Sequence, residues 1–182
     1  MANLQDLKSG MIGQSGGNLF IQKAIRFFTR SIFSHSFLII EGPYKILSCL
    51  ETTETIISLT DIFDKMENKD YIEVWKIKAS QAAIDGAASW AYMKYSGKWY
   101  GYTSYLYYIW RFFTGSKKIS KRLTDGTTCT ELVCNYICMI GPEFSKLFEG
   151  IDLNTVTPQD LNEIMEANPA LFEKIGWLKE KK

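Results

Sequence analysis

Histidine is nearly absent from this sequence, because His35 is the only one in 182 residues. A metal site built from several imidazoles is therefore excluded. The four cysteines lack the paired Cys-x-x-Cys spacing that structural zinc sites use. We expect no metal and no other cofactor. We also expect no disulfide framework in a chain of this size and composition, so the thiols are predicted to be reduced and the compartment cytoplasmic.

Long apolar runs are missing as well. No stretch of about 18 apolar residues is present, so no membrane-spanning helix is expected. Residues 1–17 are polar and glycine-rich and lack the basic-then-apolar pattern of a signal peptide. The formal net charge of +1 gives no reason to expect nucleic acid as a partner. A hydrophobic content of 46% is typical of a globular protein, and the length fits one domain over residues 1–182, with a frayed basic tail at 178–182.

The predicted elements follow an order that is typical of an α+β fold with antiparallel strands. Alternation and turn residues predict strands at 7–13, 35–41, 45–51, 55–59 and 71–77, with Gly16-Gly17 ending the first. Helical periodicity and caps predict helices at 18–30, 80–95, 99–113 and 129–140, another from Pro158, and a short one in the tail from Pro169.

Cys129 is predicted to open a helix, which makes it the strongest candidate for chemistry. Thr128 and Glu131 match the S/T-x-x-E capping box, so Thr128 is the expected N-cap and Cys129 the first helical residue. Unpaired N–H groups and the positive end of the helix dipole meet there, and both favour a thiolate. The same N–H groups could hold an oxyanion in acyl transfer. Free cysteines are more often buried structural residues, as we expect for Cys134 and Cys138.

His35 is the candidate general base for this nucleophile. It stands at the start of a predicted strand, and a hairpin that sets Glu41 opposite Lys45 would set His35 opposite Glu51. Glu51 would then orient the imidazole and raise its basicity. A change of one residue in the register would send Glu51 to the other face, and Glu54 is the alternative acid. The alternative for His35 is a strand histidine whose ring bonds to the backbone.

Several short segments resemble the circularly permuted NlpC/P60 group of papain-like enzymes, and bacterial members of the YiiX/YaeF type look closest. The similar segments, in the family's order, are 7–12, 25–35, 46–51, 97–100, 129–133 and 157–161. Met11 and Gly101 stand where the family usually has Asp. The resemblance implies a papain-like fold, with a small antiparallel sheet packed against the cysteine helix. It also implies thiol hydrolase or acyl-transfer chemistry on peptides, amides or lipid acyl groups, with Tyr100 contacting the substrate.

An aromatic segment precedes the cysteine helix. Residues 99–113 hold nine aromatic side chains spread around the predicted helix, and the basic stretch Lys117–Arg122 follows. Some of these rings are therefore expected to be exposed, or covered by a partner, a substrate or lipid. The combination suits a membrane interface or an acyl-chain pocket. The alternative is a bulky core element followed by a solvated loop.

The sequence therefore predicts a cysteine hydrolase or acyltransferase that acts on an amide or ester bond through Cys129, His35 and Glu51. An alternative hypothesis is a non-catalytic lipid- or protein-binding module of the same fold that uses residues 99–113, with peripheral membrane contact. A third hypothesis, based on Cys134 alone, is a redox-sensing thiol. The substrate, the direction of acyl transfer and the oligomeric state are left open.

Overall fold

The computed structural model describes residues 6–17, 20–41, 45–50, 53–58, 71–98, 101, 104–115 and 126–179. Its strands are β1 (Ile12–Gly16), β2 (His35–Glu41), β3 (Lys45–Leu50), β4 (Thr53–Ser58), β5 (Tyr71–Ile77) and β6 (Phe172–Lys179). Its α-helices are α1 (Phe20–Thr29), α2 (Gln81–Tyr95), α3 (Ser104–Thr114), α4 (Cys129–Ile140), α5 (Pro142–Ser145) and α6 (Pro158–Ala167). Two 3-10 turns cover Lys146–Phe148 and Leu153–Thr155.

The described strands form one antiparallel sheet in the order β4-β3-β2-β1-β5-β6. β1 lies inside the sheet, where Gln14 pairs with Ser36 of β2 on one side and with Glu73 of β5 on the other. One helix, α1, lies between β1 and β2, and the other helices follow β5 along the chain. Helices and antiparallel strands are thus largely segregated, so the predicted α+β class is confirmed. No helix in the described part of the chain is long and apolar enough to cross a membrane.

Strand side chains alternate between the two faces of the sheet. Each face carries a cluster of buried apolar side chains. One face carries Leu38 and Trp75 into the main core, which α2 and α4 complete. The other face carries Phe37 and Val74 into a smaller cluster together with Met11. The Phe37 ring lies against the backbone of Gly13, where an added Cβ would come within 2.1 Å of it. Only glycine allows this approach.

The helix α4 is the centre of the main core. Val133 and Ile137 on this helix are fully buried. The hydroxyl of Tyr136 donates to the carbonyl of Gly10 at 2.8 Å, so α4 is tied to the turn that leads into β1. Gly10 has a φ of +88°, in the left-handed region that favours glycine.

Several predicted elements are confirmed and two are wrong. Two predicted strands, 35–41 and 71–77, match β2 and β5. The helices predicted at 80–95, at 129–140 and from Pro158 match α2, α4 and α6. Three more predictions overlap the observed elements: 18–30 overlaps α1, 45–51 overlaps β3 and 55–59 overlaps β4. The strand predicted at 7–13 is wrong, because the turn at Gly10 delays β1 until Ile12. In the aromatic segment the helix α3 starts only at Ser104, and residues 99, 100, 102 and 103 lie outside the described part.

The helix predicted in the tail from Pro169 is also wrong, because the chain there forms β6 and closes the edge of β5. Phe172 packs on Phe144 with 5.9 Å between ring centroids, and Trp177 stacks on Phe33 at 6.0 Å. Two register shifts occur along this pair of strands, and Gly176 has a φ of +127°. These bulges break the regular alternation that marks a strand in a sequence. The strand continues to Lys179, into the tail that was expected to be frayed, and residues 180–182 lie outside the described part.

Asp160 joins α3 to the start of α6. Its carboxylate accepts hydrogen bonds from the backbone N–H of Thr157 at 2.9 Å and from the Thr157 hydroxyl at 2.7 Å, which completes the predicted cap of α6. Arg111 of α3 donates to both oxygens, with 2.7 Å for the Nη2 contact. Burial acts to raise the pKa of Asp160, but the bonds from Arg111 and Thr157 outweigh it and lower the pKa from 3.8 to about 2.

We predict that Asp160→Asn lowers the free energy of unfolding by about 2 kcal/mol at pH 7. Because the folded-state pKa lies below the ordinary value, this stabilisation is complete above about pH 4 and is lost as the pH falls towards 2. Urea denaturation of Asp160→Asn and of the unmodified protein, at pH 7 and at pH 2, measures the difference in the free energy of unfolding. Glu163→Gln, an exposed change on the same helix, is the control and should alter stability by less than about 0.5 kcal/mol. An Asp160→Asn effect that is the same at pH 2 and pH 7 would contradict the account.

Candidate active site

The first turn of α4 is fixed by its cap. The Thr128 hydroxyl accepts a hydrogen bond from the Glu131 N–H at 3.1 Å, and the Glu131 carboxylate accepts one from the Thr128 N–H at 3.4 Å. This is the predicted capping box, with Cys129 as the first helical residue. The carboxylate of Glu131 therefore turns back towards the cap, and the cap holds the start of α4 in place.

The structure brings the side chains of Cys129 and His35 together, although they lie far apart in the sequence. The imidazole of His35 lies beside the sulfur of Cys129, close enough for its charge and its hydrogen-bonding capacity to act on the thiol. The Ser36 backbone N–H donates to the same sulfur, and the Thr130 hydroxyl lies 3.8 Å from it. The first residue of α4 and the first two residues of β2 thus form one cluster around the thiol.

The pairing of β2 explains why the Ser36 N–H reaches the sulfur. The Ile39 N–H bonds to the Met11 carbonyl at 2.9 Å, so odd-numbered residues of β2 direct their N–H groups to β1. Even-numbered residues direct theirs to the opposite edge, where the described pairing with β3 begins only at Phe37. The N–H of Ser36 comes before that pairing and bonds to Cys129 instead.

The thiol of Cys129 is buried, with 4% of the residue exposed. Burial acts to raise its pKa, but the nearby charge of His35 and the hydrogen bonds from His35, Ser36 and Thr130 outweigh burial. Together they lower the pKa of Cys129 from 9.0 to about 7. Burial raises the pKa of Cys134 and of Cys138, which lie further along α4. Of the cysteines whose side chains are described, only Cys129 is poised to form a thiolate near neutral pH.

The helix start also supplies hydrogen-bond donors beside the sulfur. The bond from the Leu132 N–H to the Thr128 carbonyl at 3.0 Å is the first of the helical ladder, and the Thr128 hydroxyl takes up the N–H of Glu131. Cys129 and Thr130 are the two helical residues before Glu131. N–H groups at these first helical positions have no partner within a helix. Two donors next to a nucleophile are the equipment of an oxyanion hole.

The predicted register of the β2–β3 hairpin is wrong by one residue at Ile39 and Phe37. Glu41 lies opposite Lys45 as expected, but an irregularity between Ile39 and Glu41 then shifts the pairing, so that Phe37 faces Ser48 rather than Cys49. A bulge of this kind inserts one residue into a strand and leaves no periodic signal in the sequence. Glu51 itself lies outside the described residues, and the backbone of Glu54 pairs with Cys49 on β4. The acid that orients His35 stays a prediction.

Tyr100, the predicted substrate contact, also lies outside the described residues. The next residue, Gly101, is described and buried. Its N–H donates to the carbonyl of Thr127 at 3.1 Å, two residues before Cys129. The segment that leads into α3 is therefore attached to the segment that leads into α4 and Cys129.

Gln14 is a buried neighbour of the site that the sequence analysis missed. Its side-chain nitrogen donates to the Pro158 carbonyl at 2.9 Å and to the Ser36 hydroxyl at 3.4 Å. It thereby connects β1, the start of α6 and the residue whose N–H contacts Cys129. The available signal was a glutamine between Ile12 and Gly16 in a strand that is otherwise apolar or small, since a fully buried amide requires specific partners.

A cavity beside α6 is separate from this cluster. It has a volume of about 420 Å³ and is lined mainly by apolar side chains such as Leu147, Ile151 and Ile164. Neither Cys129 nor His35 lines it, so it is not part of the candidate site. In the described residues no group of three or more His, Cys, Asp or Glu side chains is arranged to hold a metal ion.

Comparison with known proteins finds no family model and no curated protein that matches this chain. The assignment of chemistry to the site therefore depends on the geometry around Cys129.

We predict that one thiol of the folded protein ionises with a midpoint near pH 7, because His35 and Ser36 stabilise the thiolate of Cys129. Ultraviolet thiolate absorbance followed across pH measures it without requiring a reagent to reach a buried sulfur. The step should vanish in Cys129→Ser and move to higher pH in His35→Ala. Cys138→Ser is the matched control on the same helix and should leave the step unchanged. A midpoint that stays near 7 in His35→Ala would show that the imidazole does not activate the thiol.

Proposed function

We propose that this protein is a cysteine hydrolase or acyltransferase that acts on an amide bond of a peptide or an ester bond of a lipid acyl group. The observation that carries the proposal is the position of the His35 imidazole beside the Cys129 sulfur at the first turn of α4. Nucleophile, base and oxyanion donors then occupy one small cluster. A buried structural cysteine requires none of these partners.

In the proposed reaction His35 takes the proton of the Cys129 thiol, and the sulfur attacks the carbonyl carbon of the substrate. The carbonyl oxygen becomes an oxyanion and accepts hydrogen bonds from the N–H groups of Cys129 and Thr130. The carbon–nitrogen or carbon–oxygen bond then breaks, and His35 gives its proton to the leaving amine or alcohol. The product of this half-reaction is a thioester on Cys129.

The second half-reaction releases the acyl group. His35 takes a proton from water or from an acceptor amine or alcohol, whose oxygen or nitrogen attacks the thioester. The carbon–sulfur bond breaks, and the imidazolium returns its proton to the sulfur. Water as the attacking group gives hydrolysis, and another acceptor gives acyl transfer.

The proposal includes a papain-like fold of the permuted NlpC/P60 kind. It is supported by the order of the site along the chain, with His35 on an early strand and Cys129 at the start of a later helix that packs on that strand. Glu51 as the orienting acid and Tyr100 as a substrate contact belong to the same proposal. So does a cytoplasmic location, since Cys129, Cys134 and Cys138 are free thiols.

The redox-sensing hypothesis draws less support from the site. Cys134 is completely buried, and burial raises its pKa well above the ordinary value. A thiol in this state is a poor nucleophile for disulfide exchange. The binding-module hypothesis differs from the proposal in a simple way, because it requires no chemistry at Cys129.

We predict that activated acyl esters, such as p-nitrophenyl acetate and its longer-chain homologues, acylate Cys129. Intact-mass and peptide mass spectrometry should find one acyl group on that residue, and hydroxylamine should remove it. His35→Ala should slow acylation by roughly 100-fold or more, which is the usual contribution of a general base. Cys138→Ala, on the same helix, should acylate at the rate of the unmodified protein.

Circular dichroism of each variant separates loss of chemistry from loss of fold. Acylation that persists in folded Cys129→Ala, or that is spread over several residues, would reject the proposed nucleophile.

A further inference from the structure

The helix α1 exposes aromatic rings and cations along one stripe. Phe20 is 88% exposed and Phe27 is more than half exposed. Lys23 and Arg30 are exposed at the intervening and following positions. Spacings of three and four residues place Phe20, Lys23 and Phe27 on the same side of the helix. Arg30 follows the last residue of α1, and its guanidinium lies 5.4 Å from the Phe112 ring of α3. The stripe therefore alternates phenylalanine with a positive charge.

The helix α3 exposes a second apolar stripe. Phe113 is 75% exposed, and Leu106 and Trp110 are each more than half exposed. Their spacings of four and three residues also place them on one side of the helix. Large apolar side chains exposed in a row indicate an interaction surface rather than an ordinary solvent face.

The two stripes belong to one surface, because α1 and α3 pack on each other. Phe112 of α3 lies 5.3 Å from Phe27 and 5.6 Å from Phe28 between ring centroids, and it contacts Phe113 at 5.4 Å. We call this surface the aromatic face. It consists of Phe20, Phe27, Leu106, Trp110 and Phe113.

The charges that α1 and α3 themselves carry are of one sign. The sequence has no Asp or Glu between residues 7 and 40 or between 86 and 124, so neither α1 nor α3 carries a carboxylate. The Arg30 guanidinium lies 5.4 Å from the centre of the Phe112 ring. Asp160 contacts α3 from the side of α6, but it is largely buried and paired with Arg111. A partner with negative charge and an apolar interior is complementary to this surface.

We propose that the aromatic face docks the protein on the surface of an anionic lipid bilayer. Tryptophan and phenylalanine side chains enter the headgroup region readily, and Lys and Arg extend their charges to lipid phosphates. Each cation near an anionic leaflet strengthens binding by about fivefold. A second copy of the chain fits less well, because it would bring Lys23 and Arg30 towards their own like charges with no carboxylate from α1 or α3 between them.

This docking goes beyond the proposed enzymatic function and does not depend on it. The face lies close in sequence to both halves of the candidate site, since residues 30–34 join α1 to His35 and Gly101, shortly before α3, bonds to Thr127. Binding to vesicles should nevertheless survive Cys129→Ala. Failure of catalysis and failure of docking are therefore separate results.

Co-sedimentation with vesicles of phosphatidylcholine, with and without phosphatidylserine, tests the proposal. We expect binding to the anionic vesicles that weakens at high salt, because exposed charges are screened. The double variant Trp110→Ser/Phe113→Ser should bind at least roughly tenfold more weakly, since each large ring loses the gain from leaving water. Lys23→Glu/Arg30→Glu should lose a similar factor, on anionic vesicles only.

The controls are exposed residues elsewhere in the protein. Met93→Ser removes an exposed apolar side chain from α2, and Lys146→Glu reverses an exposed charge after α5. Both should bind like the unmodified protein. The proposal is overturned if the unmodified protein ignores anionic vesicles, or if the Trp110→Ser/Phe113→Ser variant binds them equally well. It is also overturned if light scattering shows that the unmodified protein is a dimer and that the Trp110→Ser/Phe113→Ser variant is a monomer. The aromatic face would then be a dimer interface.

Discussion

The candidate site depends on one interaction, that of the His35 imidazole with the sulfur of Cys129 beside it. A buried thiol would ordinarily keep its proton, since burial disfavours the charged form. Here β2 and α4, which are far apart in the sequence, both begin at the site, and each contributes groups that stabilise the thiolate. β2 contributes the His35 imidazole and the Ser36 N–H, and α4 contributes the Thr130 hydroxyl. Their combined effect outweighs burial and lowers the pKa of Cys129 to about 7. Without that juxtaposition the cysteine would be an ordinary core residue, as Cys134 is.

Contacts in the surrounding structure fix the position of α4 relative to β2. The capping box of Thr128 and Glu131 fixes the first turn of α4, and the Tyr136 hydroxyl attaches the same helix to Gly10 before β1. Gln14 links β1 to Ser36 and to the start of α6. Since interiors are closely packed, a helix that is capped at its first turn and attached again at Tyr136 has little freedom to shift. The aromatic face lies outside this core, on helices whose flanking segments lead to His35 and Thr127.

Local features of the site were predictable from the sequence, and features that depend on pairing between strands were not. Cys129, its cap and the bounds of α4 follow from a motif within a few residues, and β2 and β5 follow from alternation and flanking turn residues. The predicted hairpin register failed at Phe37 and Ile39, because one irregularity between Ile39 and Glu41 shifts the described pairs by one residue. The tail from Pro169 was mistaken for a helix because bulges near Gly176 disturb the alternation of β6. Gln14 was missed because its role depends on Pro158 and Ser36, which only the fold brings near it.

Because His35 is the only histidine in the chain, nitrogen NMR of its imidazole tests the central claim most directly. The account predicts that both ring-nitrogen shifts respond as the Cys129 thiol ionises near pH 7, and that this response disappears in Cys129→Ala while the fold is retained. Imidazole signals that follow the same course across pH in the unmodified protein and in Cys129→Ala would contradict it, because sulfur and ring would then not be in contact.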